Sequence, residues 1–229
     1  MNTAINPIQI DNELIEKEYL DYINAKEFAC IAAKAALAKE QISCFVADHI
    51  ACPHNDVDIL EFLYDFIDKY RASDEMYHSA AVIFKGPAFT NDEQFDDLLW
   101  QKLQTLSNID ARQYKNDERV SADPNSPDFS FSLKEESFFI IGLHPGSTRE
   151  TRRFKYPTLV FNPHMQFEQL RASGKYDNMK YAVRKRDIAV SGEINPMLKD
   201  FGESSEVYQY SGRQYDQAWK CPFINNHKK

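Results

Sequence analysis

Hydrophobic positions along the chain change their period several times, and each change marks an element. Between residues 12 and 40 they recur at helical spacing, first Leu14, Ile15, Tyr19, Leu20 and Ile23, then Phe28, Ile31, Ala32, Ala35, Ala36 and Ala38. Such recurrence lays an apolar stripe along one face, so two helices are predicted. The second carries a face of small residues, which suits close packing against another element. Ile42–Ile50 is apolar and β-branched at its start, the pattern of a short strand or a buried turn. Asp56–Tyr70 returns to the helical period with Val57, Leu60, Leu63, Tyr64 and Ile67 on one face, and Asn55 or Asp56 can cap its start.

Ala80–Phe84 is an unbroken apolar run ended by Gly86-Pro87, hence a strand. A helix from Thr90 to about Leu106 has Glu93 three residues after Thr90, the spacing of a capping box, and carries Trp100 into the core. Arg112 to Asp128 is polar and contains Pro124 and Pro127, which predicts a long loop. Phe129–Leu133 and Phe138–Leu143 form a hairpin pattern around Lys134–Glu136, and Thr158–Phe161 is another buried strand. Met165–Arg171, stopped by Gly174, and Tyr176–Val190 are helical. After Leu198 the aromatics Phe201, Tyr208, Tyr210, Tyr215, Trp219 and Phe223 lose helical period, which describes an irregular tail wrapped over the body and closing a pocket. The expected fold is one α+β domain over residues 1–229, a small, mostly antiparallel sheet packed by helices.

At 229 residues and 43% hydrophobic content the chain can bury a single core. No run approaches the roughly 18 apolar residues of a membrane helix, and the acidic start lacks a signal pattern, so no membrane partner and a cytoplasmic location are expected. The net charge of −8 is unevenly spread: residues 1–136 hold 12 Lys+Arg against 26 Asp+Glu, giving −14, and residues 137–229 hold 15 against 9, giving +6. An acidic whole argues against nucleic acid as a partner, whereas a basic half suits a local anionic ligand. The four cysteines form no CxxC pair and are expected to be reduced thiols.

The candidate chemistry concentrates between Ser137 and Arg171. Two strand-like runs end in a histidine beside a proline, His144-Pro145 and Pro163-His164, and Arg149, Arg152, Arg153 and Arg171 surround them. Imidazoles beside guanidinium groups suit haem, whose iron takes an axial histidine and whose propionates need cations. A phosphate held on Gly146-Ser147-Thr148-Arg149 fits the arginines nearly as well. His49, flanked by Val46 and Ile50, is a third iron-ligand candidate after His164 and His144, and Cys221, followed by Pro222, stands behind them as a thiolate. Each histidine is as readily a core residue bonded to a backbone carbonyl. Asn162 or Gln166 could hold the ring of His164, and Glu168, Asp187 or Glu193 could clamp a guanidinium.

The run GLHPGSTRETRRF from Gly142, then PTLVFNPHMQFEQLR from Pro157, NPMLKDFG, QYSGR and WKCPF closely resemble the YqcI/YcgG family. That family includes the haem-dependent N-hydroxylases of guanitoxin biosynthesis and related arginine-hydroxylating haem proteins. The resemblance implies one haem b per chain and oxygen-dependent N-hydroxylation of a small, arginine-like guanidine or amine. It also implies dioxygen and an external electron donor as partners, and a homodimer is allowed. Carried over by position, it draws attention to His144, Arg149, Arg152, Arg153, Asn162, His164, Gln166, Arg171, Arg186, Asp187, Asn195, Tyr210, Arg213 and Cys221. The expected catalytic set is His144, His164, Glu168 and Asp187. Arg149, Arg152, Arg153, Asn162, Gln166, Arg171 and Arg213 are expected around the cofactor, and His164, His144 or His49 on the iron. A haem sensor or carrier without turnover, or a phosphate-handling enzyme, is the competing expectation. In Phe28-Ala29-Cys30 this chain has Ala29 where the family pattern has proline.

Overall fold

The computed structural model describes residues 7–227 apart from Thr90, Ile194, Asn195, Leu198 and Gln217. Its helices are α1 (Pro7–Asn24), α2 (Ile31–Ala38), α3 (Asp56–Arg71), α4 (Asp92–Asp110), α5 (His164–Ala172) and α6 (Tyr176–Ser191). Its strands are β1 (Ile42–His49), β2 (Ser79–Gly86), β3 (Phe131–Leu133), β4 (Glu136–Leu143) and β5 (Thr158–Pro163). They form one sheet in the order β1-β2-β5-β4-β3, with β1 and β2 parallel and the other pairs antiparallel. The architecture is the expected α+β class.

Alternation along the strands divides the interior into two layers, because successive side chains point to opposite faces. Val82 and Phe84 of β2, Leu159 and Phe161 of β5, and Phe138 and Ile140 of β4 pack against α3, α4 and the C-terminal tail. Ala81, Ile83, Val160, Ile141 and Leu143 face the other way, toward Ile15, Tyr19 and Ile23 of α1 and toward Phe154. Residues 42–50, legible as either strand or turn, form the edge strand β1. It joins β2 in parallel because α3 supplies the crossover that such a pair requires.

Three boundaries differ from the expectation for local reasons. The hairpin turn is only two residues, Lys134 and Glu135, at φ 49° and 58°, a left-handed geometry usually reserved for Asn and Gly. It is held from outside: Asp110 accepts the Lys134 amide at 3.0 Å, and Arg71 donates to both turn carbonyls at 2.9 Å. Phe129 and Ser130 fall outside β3, where the Ser130 hydroxyl reaches Phe138 O. The cap of α4 is Asn91, whose Oδ1 accepts the Gln94 amide at 3.0 Å; Thr90 lies outside the described residues. The tail is irregular apart from a 3₁₀ turn at Glu206–Gln209, and it is anchored by Tyr210, which stacks on the buried Trp100. Among the described residues no helix is long and apolar enough to cross a membrane.

Candidate active site

The small residues of α2 pack against α1, β1 and α6. Ala32, Ala33 and Ala36, with Ala29 just before the helix, also form one wall of a cavity of about 290 Å³. Phe139, Ile141 and Val160 of the sheet form the second wall, and Phe167, Met179 and Val183 of α5 and α6 the third. A more open space of about 450 Å³ adjoins it, and His164, Arg171 and Phe201 line both. Ligand pockets span roughly 300–1,000 Å³, so the two spaces together are of ligand size.

His164 sits where β5 runs directly into α5, so backbone on both sides fixes its ring. It is 3% exposed and lies 4.3 Å from the Phe201 ring, and its Nδ1 has no hydrogen-bond partner. Glu168 and Glu206 approach its two nitrogens at 3.4 and 3.5 Å. Asn162 and Gln166 line the cavity but do not touch this ring. Asn162 donates to Phe139 O and accepts from Ser79, while Gln166 donates to His78 O and leaves its buried Oε1 unpartnered.

The other two histidine candidates lie elsewhere. His144 is fully buried on the α4 side of the sheet, stacked on Phe95 at 4.4 Å with its Nε2 3.0 Å from Asp92. It does not line the cavity. His49 closes β1, where its Nδ1 accepts the Ala51 amide. The segment Gly146–Arg149, a phosphate-loop candidate, already binds an anion of the chain itself: Thr148 donates to Asp92 through its hydroxyl at 2.5 Å and through its amide. These contacts hold Asp92 below the usual carboxylate range; burial opposes them, and the hydrogen bonds from His144 and Thr148 prevail.

The arginines separate into distinct jobs. Arg149, 5% exposed, pairs with Asp187 at 2.7 Å, and Asp187 also accepts from Thr151. Asp187, a candidate to clamp a substrate guanidinium, is thus engaged by the chain's own Arg149. Arg152 donates to the carbonyls of Gly142, Tyr210 and Gln209, tying the tail to β4; burial lowers its pKa to about 10, which leaves it a cation. Both line the cavity, whereas the exposed Arg153 bonds Ser147 O and Glu150 outside it. Arg213 also lies outside, on Asp96 and Glu93. Arg171 lines the cavity, pairs with Glu168 and stacks over Tyr176 at 4.6 Å.

Among the lining residues that the sequence reading did not count as site members, two carry unmet polar atoms or face His164. Arg184 of α6 has a buried Nε without a hydrogen-bond partner, and its Nη2 is 3.6 Å from Asp200. Glu206 lies in the tail, remote in sequence from His164, with no motif to mark it. Arg184 could have been found by projecting α6 helically, since it lies one turn from Lys180 and on the side of Asp187. Of the resemblance positions, Asn195 lies outside the described residues, and the thiol of Cys221 packs partly buried against the α4-side core. All four cysteines are free. Among the described residues no group of three or more His, Cys, Asp or Glu could hold a bare metal ion.

Two proteins of Bacillus subtilis (strain 168) match this chain over most of both lengths. One, described as "Uncharacterized protein YcgG", is 27% identical over 210 residues, covering 87% of this chain and 82% of its own. The other, "Uncharacterized protein YqcI", is 29% identical over 224 residues, covering 89% and 85%. No solved structure matches. The YqcI/YcgG family matches over residues 19–224, which include α2, α5, α6 and every strand that walls the cavity, and the chain belongs to that family.

Proposed function

We propose that the protein is a haem-dependent N-hydroxylase acting on a small guanidine or amine. The observation that carries this reading is His164: a buried imidazole, one nitrogen unpartnered, on the wall of an apolar cavity edged by guanidinium groups. Those residues fit haem. His164 would hold the iron, the alanine face of α2 and the Phe139–Ile141 face would flank the macrocycle, and Arg184 and Arg171 would meet its propionates. When bound, haem supplies the activation of dioxygen that N-hydroxylation needs.

The remaining work belongs to side chains of this chain. Apolar walls exclude water, which strengthens every charge contact inside. Arg149, paired with Asp187, ties the loop after β4 to α6 and keeps the cavity at fixed width. Glu168, half-exposed on the more open space, is the carboxylate that would meet an incoming guanidinium by exchanging its partner Arg171. In balance, one oxygen atom enters the substrate N–H bond and the other leaves as water, with two electrons from an external donor and two protons.

The test is a spectrum followed by an assay. Protein produced with ample haem should show a Soret band, and with dioxygen and a reductant it should convert arginine or a related guanidine to a product one oxygen heavier. His164→Ala should lose the band, and His144→Ala should keep it. Protein that stays colourless and ignores added hemin would overturn the reading; haem binding without product from any guanidine or amine would favour a sensor or carrier.

A further inference from the structure

His164 has a carboxylate at each nitrogen, and the two differ in kind. Glu168 Oε1 lies 3.4 Å from Nε2; it is half-exposed, sits on the same helix and pairs with Arg171. Glu206 Oε1 lies 3.5 Å from Nδ1, and Glu206 is 5% exposed. Its other oxygen is fixed: Oε2 accepts from the Ser130 hydroxyl at 3.0 Å and the Tyr210 hydroxyl at 3.4 Å, while the Tyr210 oxygen accepts the Phe131 amide at 3.1 Å. Each hydroxyl has a single proton, shared between Oε2 and Phe138 O, which lies 3.0 Å from Ser130 Oγ and 3.4 Å from Tyr210 Oη. A buried carboxylate thus stands with one oxygen near two hydroxyls and the other 3.5 Å from an imidazole nitrogen that makes no hydrogen bond.

We propose that Glu206 is a positioning residue for His164: its Oε1 accepts the Nδ1 proton, fixing the Nδ1–H tautomer and leaving the Nε2 lone pair for a ligand. An ionised carboxylate can only accept, so the neutral ring must present an N–H to it. The tautomer of an imidazole is set by the hydrogen bond its other nitrogen makes, and a carboxylate in that place also raises ligand basicity. Glu168 competes weakly, because the oxygen that approaches Nε2 is the one already bonded by Arg171, and the carboxylate is half-exposed to water. The identity of the Nε2 ligand rests on the function proposed above; the tautomer does not.

The experiment uses the whole protein labelled with ¹⁵N-histidine, its ring correlations recorded without added haem at a pH where the ring is neutral. Wild type should show His164 protonated at Nδ1. In Glu206→Gln the amide oxygen stays with Ser130 and Tyr210, so the NH₂ group faces Nδ1 and the ring should switch to the Nε2–H form. Glu168→Gln should leave the tautomer as in wild type. In the same preparations, Glu206→Gln should weaken hemin binding by about 10- to 100-fold and move the reduction potential of bound haem upward. An Nε2–H ring in wild type, or an unchanged ring in Glu206→Gln, would overturn the proposal; should that variant fail to fold, the wild-type tautomer decides alone. A tautomer that switches as expected in protein that binds no hemin would uphold the positioning role and remove the haem reading instead.

Discussion

Arg149 and Asp187 form a buried ion pair, 2.7 Å between Nη2 and Oδ2, that joins the loop after β4 to α6 across 38 residues of chain. Removing the arginine leaves a buried carboxylate without its guanidinium, with the Thr151 hydroxyl still donating to it. Arg149→Ala is therefore expected to destabilise the fold by about 3 kcal/mol, whereas Asp187→Asn, which keeps an acceptor for Arg149, should lose about half of that. Urea unfolding midpoints compared at constant slope check this, and equal losses would show that charge is not what matters.

Gly142 is a packing requirement of β4. A Cβ there would lie 2.5 Å from Phe95 Cε1 and 2.9 Å from Leu99 Cδ1, inside any tolerable contact. Its amide donates to Tyr210 O and its carbonyl accepts from Arg152, so the strand cannot shift away without releasing the tail. Gly142→Ala should cost about 2–3 kcal/mol, and Phe95→Leu placed on top of it should recover part of that loss. Additive losses in the double-mutant cycle would contradict the contact.

Such contacts explain what was legible in the sequence and what was not. Helical periods marked α3 and α4, each of which buries one face, and short apolar runs marked β2, β4 and β5, which are covered on both faces. β1 remained ambiguous because it is an edge strand, half-buried along most of its length, and its partner is set by the α3 crossover. The turn at Lys134–Glu135 lacks the residues its backbone prefers, since Asp110 and Arg71 hold it from distant elements. His144 and His164 look alike in sequence, each beside a proline at a strand end. They separate only because β4 continues into a loop against Phe95, whereas β5 continues straight into α5 beside the cavity. Glu206 reaches His164 through the tail fold alone, which no local pattern encodes.

Asp92 supplies a pH dependence. Its folded-state pKa is depressed by His144 and Thr148 despite burial, so its contribution is present above the unfolded carboxylate value of about 3.9 and is lost as pH falls through the lower folded value. Asp92→Asn should cost about 1 kcal/mol at neutral pH, and the gap to wild type should close below about pH 4. Stability curves measured from pH 7 down to 3 check it. A gap that stays constant to pH 3 would mean that the Asp92 charge contributes nothing.

The last prediction separates the arginines by where they stand rather than by their motif. Arg153 belongs to the Arg149–Arg153 cluster, yet its guanidinium is engaged outside the cavity with Ser147 O and Glu150. Arg184 belongs to no motif, but its Nε is buried without a partner and its Nη2 stands 3.6 Å from Asp200 on the cavity lining. A cation in that state gains most from an incoming carboxylate, because its desolvation has already occurred. Arg184→Ala should therefore weaken hemin binding by about 10- to 100-fold, and Arg153→Ala should leave it within about twofold. Arg152→Ala is a poor probe, since it also unties the tail carbonyls of Gln209 and Tyr210 from Gly142 of β4. Titrating hemin into both informative variants by absorbance gives the answer, and a larger loss in Arg153→Ala would return the anion site to the loop before β5.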